Sequence, residues 1–331
     1  MERSKFYIKL LLLPILILII VFALFYKNST SDAQASKEPF NTPVAEQLSE
    51  EQVYKDSIIL HYDAEPNWQP ISTDYYKNQP LIDGQAALVV DLQSGNALYE
   101  LNSRQRRKIA SITKIMTAVV ALEHKKIDDT MTVSHKAANI GENVMGLSEG
   151  EKYSFEDLLY GLVLMSGNDA AYTIAENTAG TTDTFIDWMN MKAKDLGLKD
   201  TYFTDPSGLD DNTYSTAADL VKLTRYALKF AEFKKVVSTF SYEIPYSDTH
   251  KYLYLENQTN LLKTYPGVAG VKTGYTEEAG LCLVTYASND SKDVIGVVLG
   301  STDRKGDMVL MLDYGYSVLG INIEHPALIV K

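Results

Sequence analysis

The sequence of 331 residues contains a single cysteine, Cys282. One cysteine excludes an intramolecular disulfide, and it leaves no thiol cluster that could bind a structural metal ion. Cys282 lies in an apolar run, residues 281–284, that predicts a buried strand. Because no neighbour in the sequence would lower the pKa of its thiol, we expect a packing role and not a reactive one.

Positive charge is also scarce. The chain has 31 lysines and arginines against 43 aspartates and glutamates, and its formal net charge is −12. Proteins that bind nucleic acid neutralise phosphates with clustered basic side chains, and the sequence has no such block. The composition therefore argues against a nucleic-acid partner, although a short basic site could still lie within an acidic surface.

Several catalytic motifs are absent. No G-x-S-x-G elbow, H-E-x-x-H helix or glycine-rich phosphate loop occurs, so we expect neither a metal nor a cofactor. The histidines are scattered along the chain and do not form a ligand pattern; they are His61, His124, His135, His250 and His325. His124 lies at the end of a predicted helix, where we expect it to act as a charge at the helix C-terminus.

One long apolar run is present, at residues 10–26, and residues 1–9 are basic. A run of about 17 residues is at the lower limit for a transmembrane helix. The basic flank would keep residues 1–9 in the cytoplasm and the rest of the chain outside a single-pass cell-membrane anchor. A cleavable signal peptide, with secretion, is the alternative, since residues 33–35 resemble a cleavage site. That site lies far beyond the run, which favours a retained anchor.

The remaining chain divides into a polar segment and a folded domain. We interpret residues 27–80 as an extracytoplasmic stalk with a short helix at 46–59, and residues 81–331 as the domain. Strands near both ends of the domain with helices between them predict an α/β fold, an antiparallel sheet covered by helices. The predicted elements are strands at 86–91 and 97–100, helices at 111–124, 154–165, 170–177, 183–196 and 216–230, strands at 268–276, 281–288 and 294–300, and a helix at 307–318.

Three short motifs occur in a fixed order. They are S-x-x-K at residues 111–114, S-G-N at 166–168 and K-T-G at 272–274. Each is weak alone, because small polar triplets arise by chance, and their joint occurrence in this order is much stronger. A second S-x-N match at 94–96 lies in a predicted hairpin turn, and we assign it a structural role.

The first motif has the spacing of a nucleophile and its base. Ser111 and Lys114 are three residues apart, so on a helix they share a face. A serine hydroxyl is a poor nucleophile until a base accepts its proton. A lysine serves only when neutral, which desolvation and a second cation, here Lys272, would favour. The alternative is an ordinary buried helix with an exposed lysine. Apolar neighbours would supply the dry surroundings; they are Ile112, Ile115, Met116 and Val119.

These motifs and their neighbours resemble the penicillin-recognising serine enzymes, specifically the low-molecular-weight D-alanyl-D-alanine carboxypeptidases. The stretches that carry the likeness are 110–117, 164–171, 205–209 and 270–276, and the likeness extends from about 81 to 320. The resemblance implies a β-lactamase/DD-peptidase-like transpeptidase fold with a helical subdomain. It implies removal of the terminal D-alanine from peptidoglycan stem peptides through an acyl-enzyme. It also implies inhibition by β-lactam antibiotics.

The resemblance also implies catalytic roles. Ser111 would attack the carbonyl between the two D-alanines, and Lys114 would accept the serine proton. Ser166 would relay a proton to the departing amine. The backbone N–H groups of Ser111 and Tyr275 would stabilise the oxyanion.

The family's substrate-binding residues match the second and third motifs. Asn168 would hold the substrate amide and orient Lys114. Lys272 would supply positive potential, and Thr273, beside Gly274, would hydrogen-bond the terminal carboxylate. Arg304 resembles an arginine that recognises the same carboxylate; the alternative is a solvated surface charge.

Three other functions stay open at this point. A DD-endopeptidase would cleave cross-links with the same residues. A class A β-lactamase shares S-x-x-K and K-T-G but needs a loop glutamate. Residues 201–211 contain no E-x-x-L-N pattern; they offer Asp205, which we expect to shape a turn. A non-catalytic penicillin-binding sensor would be acylated without turnover.

Overall fold

The protein is described from a computed structural model, which covers residues 49–60, 62–74, 77–259 and 261–326. The chain from Glu50 onward forms one compact unit. No helix within these ranges is both long and apolar enough to span a membrane. The predicted anchor at residues 10–26 lies outside the described residues.

The N-terminal half of the unit begins with a short helix and two strands and is then mainly helical. Its elements are α1 (Glu50–Ser57), β1 (Ala86–Asp91), β2 (Ala97–Leu101), β3 (Arg107–Lys108), a 3₁₀ turn (Ala110–Thr113), α2 (Lys114–His124), β4 (Thr130–Thr132), α3 (His135–Ala138), β5 (Lys152–Ser154), α4 (Phe155–Leu164), α5 (Asn168–Ala179) and α6 (Thr182–Asp195). The C-terminal half adds β6 (Tyr214–Ser215), α7 (Ala217–Ala227), α8 (Ala231–Val237), β7 (Ser241–Ile244), β8 (Leu253–Glu256), α9 (Leu261–Thr264), β9 (Val268–Thr276), β10 (Gly280–Asn289), β11 (Lys292–Ser301) and α10 (Arg304–Val318).

The main sheet has five strands in the order β2-β1-β11-β10-β9, and all its neighbours are antiparallel. Strands from both ends of the domain therefore meet at its centre, as the sequence predicts. The central strands β1, β10 and β11 are mostly buried because helices cover both faces of the sheet. β9, which carries the K-T-G motif, is an edge strand, and an edge strand can pair with an added peptide.

Helix α2 is the centre of the helical layer, and all its residues are buried. Its 3₁₀ turn lies against β9 at Gly274, where a Cβ atom would stand 2.8 Å from the carbonyl oxygen of Ile109. That distance is too short for a side chain, so only glycine lets the strand approach the start of the helix this closely. The first and third motifs thus meet because the sheet edge packs on the 3₁₀ turn.

The domain begins earlier than the sequence predicts. Tyr54 of α1 is fully buried, and the N–H groups of Ile59 and Leu60 both donate to the carbonyl oxygen of Glu123, at 2.9 and 3.0 Å. Trp68 stacks under the guanidinium of Arg225, 4.6 Å from the ring centre. Residues 50–60 and 62–74 therefore belong to the folded unit, which begins before the expected boundary at residue 81.

His124 also differs from the prediction. Its ring stacks on Trp188 with 4.4 Å between ring centres, and its side chain is buried. Burial lowers the pKa of His124 to about 4. A neutral imidazole results at physiological pH, so the role predicted for it, a positive charge at the helix end, is wrong.

Candidate active site

The nucleophile candidate lies on a tightly supported turn. Ser111 is the second residue of the 3₁₀ turn, and Ala110 before it has a left-handed backbone, with φ of 47°. Gly208, with φ of 78°, packs behind this turn, where a Cβ atom would stand 1.9 Å from the carbonyl oxygen of Ala110. The segment that contains Gly208 therefore fixes the start of the helix and the direction of the Ser111 hydroxyl.

Lys114 is enclosed by three oxygen atoms. Its Nζ lies 2.9 Å from Ser111 Oγ, 2.8 Å from Asn168 Oδ1 and 2.7 Å from the carbonyl oxygen of Ser207. The residue is 1% exposed. Burial lowers the pKa of Lys114 to about 7, although the carboxylates of Asp205, Asp169 and Glu142 oppose the shift. A substantial share of the side chain is therefore a free amine at neutral pH.

The three contacts define how a neutral amine would be oriented. The oxygens of Asn168 and Ser207 can only accept hydrogen bonds, so they take the two N–H groups of a neutral Lys114. The lone pair then points at the hydroxyl of Ser111, which becomes the donor. This is the arrangement that a general base needs before proton transfer.

Ser166 and Lys272 form a second contact in the site. Lys272 Nζ donates to Ser166 Oγ at 2.9 Å and to the carbonyl oxygen of Thr273 at 3.0 Å. Ser166 has φ of 57°, in the left-handed region that a non-glycine residue rarely occupies. Such strain is concentrated at functional sites, where the surroundings hold it in place.

The two lysines are electrostatically coupled. Lys272 is 2% exposed, and its pKa is lowered by burial first and then by the charges of Lys114 and Arg304. Repulsion between two buried ammonium groups means that loss of one proton raises the pKa of the other lysine. A neutral Lys114 therefore allows Lys272 to remain charged. Lys114 as a base and Lys272 as a cation can thus be present in the cleft together.

Asn168 joins the site to the loop between α3 and β5. Its N–H donates to the carbonyl oxygen of Asn143 at 2.7 Å, and its Nδ2 donates to that of Gly141 at 3.2 Å. The next residue, Asp169, accepts from three consecutive N–H groups of the same loop at 2.8–2.9 Å, those of Met145, Gly146 and Leu147. The S-G-N motif thus holds one wall of the cleft as well as contacting Lys114.

The edge strand β9 forms the opposite wall. Thr273 is nearly buried, whereas the side chain of Tyr275 is 59% exposed. Arg304, the first residue of α10, donates from Nη1 to the carbonyl oxygen of Gly274 at 2.9 Å. Burial lowers the pKa of Arg304 from its ordinary value. The guanidinium is therefore bound at the K-T-G strand, so the alternative of a solvated surface charge is wrong.

Sequence reasoning missed the part played by the carbonyl oxygen of Ser207. Asp205 builds the turn that presents it, because its carboxylate accepts from the N–H of Gly208 at 2.7 Å and of Asp210 at 2.8 Å, and from the Ser207 hydroxyl at 2.6 Å. The turn role predicted for Asp205 is confirmed. No sequence signal identifies a main-chain acceptor, but the D-P-S-G turn could have suggested one.

Two other expectations concern thiol and metal chemistry. Cys282 is buried in β10, and burial raises the pKa of its thiol to about 11, which confirms a packing role. Within the ranges that the structure describes, no group of three or more histidine, cysteine, aspartate or glutamate side chains could hold a metal ion.

The antiparallel sheet with its helices, and a serine paired with a buried lysine, are those of a serine peptidase of the DD-peptidase class. The sequence profile of the D-alanyl-D-alanine carboxypeptidase family, peptidase S11, matches residues 73–303. The chain belongs to this family.

Curated relatives and solved structures are similar to most of the domain. D-alanyl-D-alanine carboxypeptidase DacF of Bacillus subtilis is 36% identical over 244 residues, which are 71% of this chain and 62% of DacF. The crystal structure of the Streptomyces K15 DD-transpeptidase is 34% identical, with a TM-score of 0.69, and the match covers 72% of this chain and 99% of that one. A penicillin-binding protein homologue of Mycobacterium tuberculosis is 30% identical with a TM-score of 0.70, over 75% and 97% of the two chains. The predicted DD-peptidase fold is confirmed.

Proposed function

We propose that this protein is a serine-type D-Ala-D-Ala carboxypeptidase that removes the terminal D-alanine from peptidoglycan pentapeptides. The observation that carries the proposal is the 2.9 Å contact between Ser111 Oγ and the Nζ of Lys114, a buried lysine whose pKa burial lowers to about 7. The edge strand β9 beside this pair can receive an extended peptide. Family membership supports the same activity.

Acylation begins with proton transfer from Ser111 to Lys114. The serine oxygen attacks the carbonyl carbon between the two D-alanines, and the resulting oxyanion is stabilised by the backbone N–H groups of Ser111 and Tyr275. Removing one such donor typically slows an enzyme by about 10²–10³-fold. The tetrahedral intermediate therefore depends on how β9 is seated against the 3₁₀ turn.

Collapse of the intermediate releases D-alanine. Ser166, held by Lys272, relays a proton to the departing amine while the C–N bond breaks. Thr273 hydrogen-bonds the terminal carboxylate, and Lys272 and Arg304 supply positive potential around it. Water then attacks the acyl-enzyme with Lys114 as the base, and the shortened peptide leaves. A β-lactam enters the same steps because its strained amide occupies the position of the scissile bond.

The direct test is incubation of the purified protein with a pentapeptide ending in D-Ala-D-Ala. We expect one equivalent of free D-alanine per peptide, measured by a coupled amino-acid oxidase assay. A matched peptide ending in D-Ala-L-Ala is the control and should release nothing. Absence of D-alanine from the first peptide would overturn the carboxypeptidase proposal.

The same preparation separates the alternatives. An endopeptidase would release monomers from cross-linked dimers faster than it trims pentapeptides. A class A β-lactamase would lose a fluorescent penicillin label rapidly and leave the pentapeptide intact. A non-catalytic sensor would keep the label and turn over neither substrate.

We also propose that residues 10–26 tether the protein to the cell membrane as a single-pass anchor, with residues 1–9 in the cytoplasm and the domain outside. The apolar run and its basic flank support this arrangement. We expect the protein in the membrane fraction at its full mass of 36.9 kDa, resistant to alkaline extraction. A shortened soluble chain whose N-terminus follows residue 35 would establish signal cleavage instead.

A further inference from the structure

An exposed carboxylate lies at the rim of the site, in the loop between α3 and β5. Glu142 is the residue between the two carbonyl oxygens, of Gly141 and Asn143, to which Asn168 donates. It is therefore adjacent to both contacts that join this loop to the catalytic constellation. Its charge reaches the base, because Glu142 is one of the carboxylates that oppose the lowering of the Lys114 pKa.

The loop holds Glu142 in a defined position. Asn168 fixes the loop on both sides of this residue, and the carboxylate of Asp169 fixes the segment that follows through Met145, Gly146 and Leu147. The backbone of Glu142 is left-handed, with φ of 57°, a conformation that glycine would adopt at no steric cost. A glutamate is present there nevertheless, and its side chain is exposed.

Glu142 differs from the other acidic residues around the cleft. Asp169 and Asp205 accept hydrogen bonds from backbone N–H groups, and Asp211 accepts from the hydroxyl of Thr276 at 2.6 Å. Glu142 takes part in no salt bridge with any residue that the structure describes. Its charge is therefore available to a ligand. Val144, two residues on, is 39% exposed and offers an apolar contact beside it.

The substrate's direction follows from the proposed function, on which this inference rests. Thr273 and Arg304 hold the terminal carboxylate, so the leaving D-alanine lies at their end of the cleft. Asn168 holds an amide on the acyl side of the scissile bond. In this orientation the residue that precedes D-Ala-D-Ala lies towards the loop that Asn168 anchors, the loop that carries Glu142 and Val144.

We propose that Glu142 is a specificity-determining residue that favours substrates whose residue before D-Ala-D-Ala has an aliphatic side chain ending in a primary ammonium group. The ammonium pairs with the carboxylate, and the methylene stem lies along Val144, as the stems of long basic side chains commonly lie along apolar surface. Exposed ion pairs are weak, so the preference amounts to about two- to fivefold in kcat/KM. It should decrease in high salt, which screens exposed charges.

The test uses two peptides, Nα-acetyl-L-Lys-D-Ala-D-Ala and its Nε-acetylated form, in which an acetyl group removes the side-chain charge. The parent should prefer the free amine by about two- to fivefold. The readout is the ratio of kcat/KM for the two peptides, because a change in the reactivity of Lys114 affects both peptides equally. Glu142→Gln should bring this ratio near one, and Glu142→Lys should reverse the preference. Glu149→Gln removes the same charge from an exposed position later in the loop and should keep the parent ratio.

The possible outcomes distinguish the role of Glu142 from the proposed carboxypeptidase activity. Hydrolysis of both peptides with equal kcat/KM by the parent, or an unchanged preference in Glu142→Gln, would overturn the role of Glu142 alone. Loss of the preference in Glu149→Gln as well would assign it to net charge and not to this residue, which also overturns the inference. Hydrolysis of neither peptide by the parent would overturn the carboxypeptidase function and this inference with it.

Discussion

Replacing Ser111 with alanine should abolish both labelling by a fluorescent penicillin and release of D-alanine from a pentapeptide. The expected loss is at least about 10³-fold, since removal of a catalytic serine can lower kcat by about 10⁶. The reason is chemical: without the hydroxyl no acyl-enzyme forms, and among the described residues the other hydrogen-bond partners of Lys114 are an amide oxygen and a main-chain carbonyl oxygen, neither of which is a nucleophile. Label should be read as fluorescence on a denaturing gel, and D-alanine by the oxidase assay.

The matched control is Ser94→Ala. Ser94 opens the second S-x-N match, at 94–96, and its hydroxyl donates to Asp91 in the turn between β1 and β2. This variant should label at the parent rate, because the turn lies in a hairpin and not in the cleft. Equal release of D-alanine by the parent and by Ser111→Ala would show that another residue is the nucleophile. A similar melting temperature for the parent and for Ser111→Ala would exclude unfolding as the cause of lost labelling or lost D-alanine release.

Much of the sheet could be predicted from sequence because its strands are long, apolar and bounded by turns. The predicted strands at 86–91 and 268–276 have the bounds that the structure gives to β1 and β9. The helix predicted at 154–165 matches α4 to within one residue at each end, and a capping box between Ser154 and Asp157 begins it. These features depend on neighbours in the sequence, and local patterns report such neighbours well.

The features that were missed depend on distant contacts. Residues 50–60 and 62–74 resemble a stalk because they are mostly polar, yet apolar side chains among them, such as Tyr54 and Trp68, pack against the hydrophobic core. His124 is neutral because Trp188, from another helix, covers its ring. Neither burial nor stacking leaves a periodic signal in so short a segment. The N-terminal boundary of the domain and the charge state of His124 therefore could not be predicted from the sequence.

The candidate site divides in the same way. The motifs identify Ser111, Lys114, Ser166 and Lys272 because the chemistry needs those side chains. They do not identify the carbonyl oxygen of Ser207, which any residue could supply. That oxygen matters to the base, because together with Asn168 Oδ1 it takes both N–H groups of a neutral Lys114. The carbonyl oxygen of Ser207 is thus part of the candidate site, although the type of residue at this position does not reveal it.

The rate of penicillin labelling by the parent should rise with pH, with a midpoint near 7. Lys114, whose pKa burial lowers to about 7, can accept the Ser111 proton only as a free amine. Below this pKa the ammonium predominates and acylation is slow; above it the amine predominates and the rate reaches a plateau. The measurement is the second-order labelling rate from pH 5.5 to 8.5 at constant ionic strength.

The Lys114→Arg variant distinguishes the role of Lys114 as a base from the effect of its positive charge. A guanidinium keeps the positive charge but does not release its proton in a protein. Labelling should therefore fall by about 10²–10⁴-fold, the usual contribution of a general base, and the rise with pH should disappear. A parent rate that is flat across this pH range, or a variant that labels almost as fast as the parent, would contradict a neutral Lys114.

Lys272→Arg is the matched comparison, since the same substitution is made at the other buried lysine. A permanent cation beside Lys114 still supplies positive potential and opposes protonation of the base. The rise with pH should therefore persist in this variant, with its midpoint at or below that of the parent, even if the larger side chain lowers the plateau. Loss of the rise in both variants would mean that the two lysines titrate as one unit and that Lys114 alone is not the base. Persistence in Lys272→Arg and loss in Lys114→Arg would assign the titration to Lys114, the lysine whose Nζ lies 2.9 Å from the Ser111 hydroxyl.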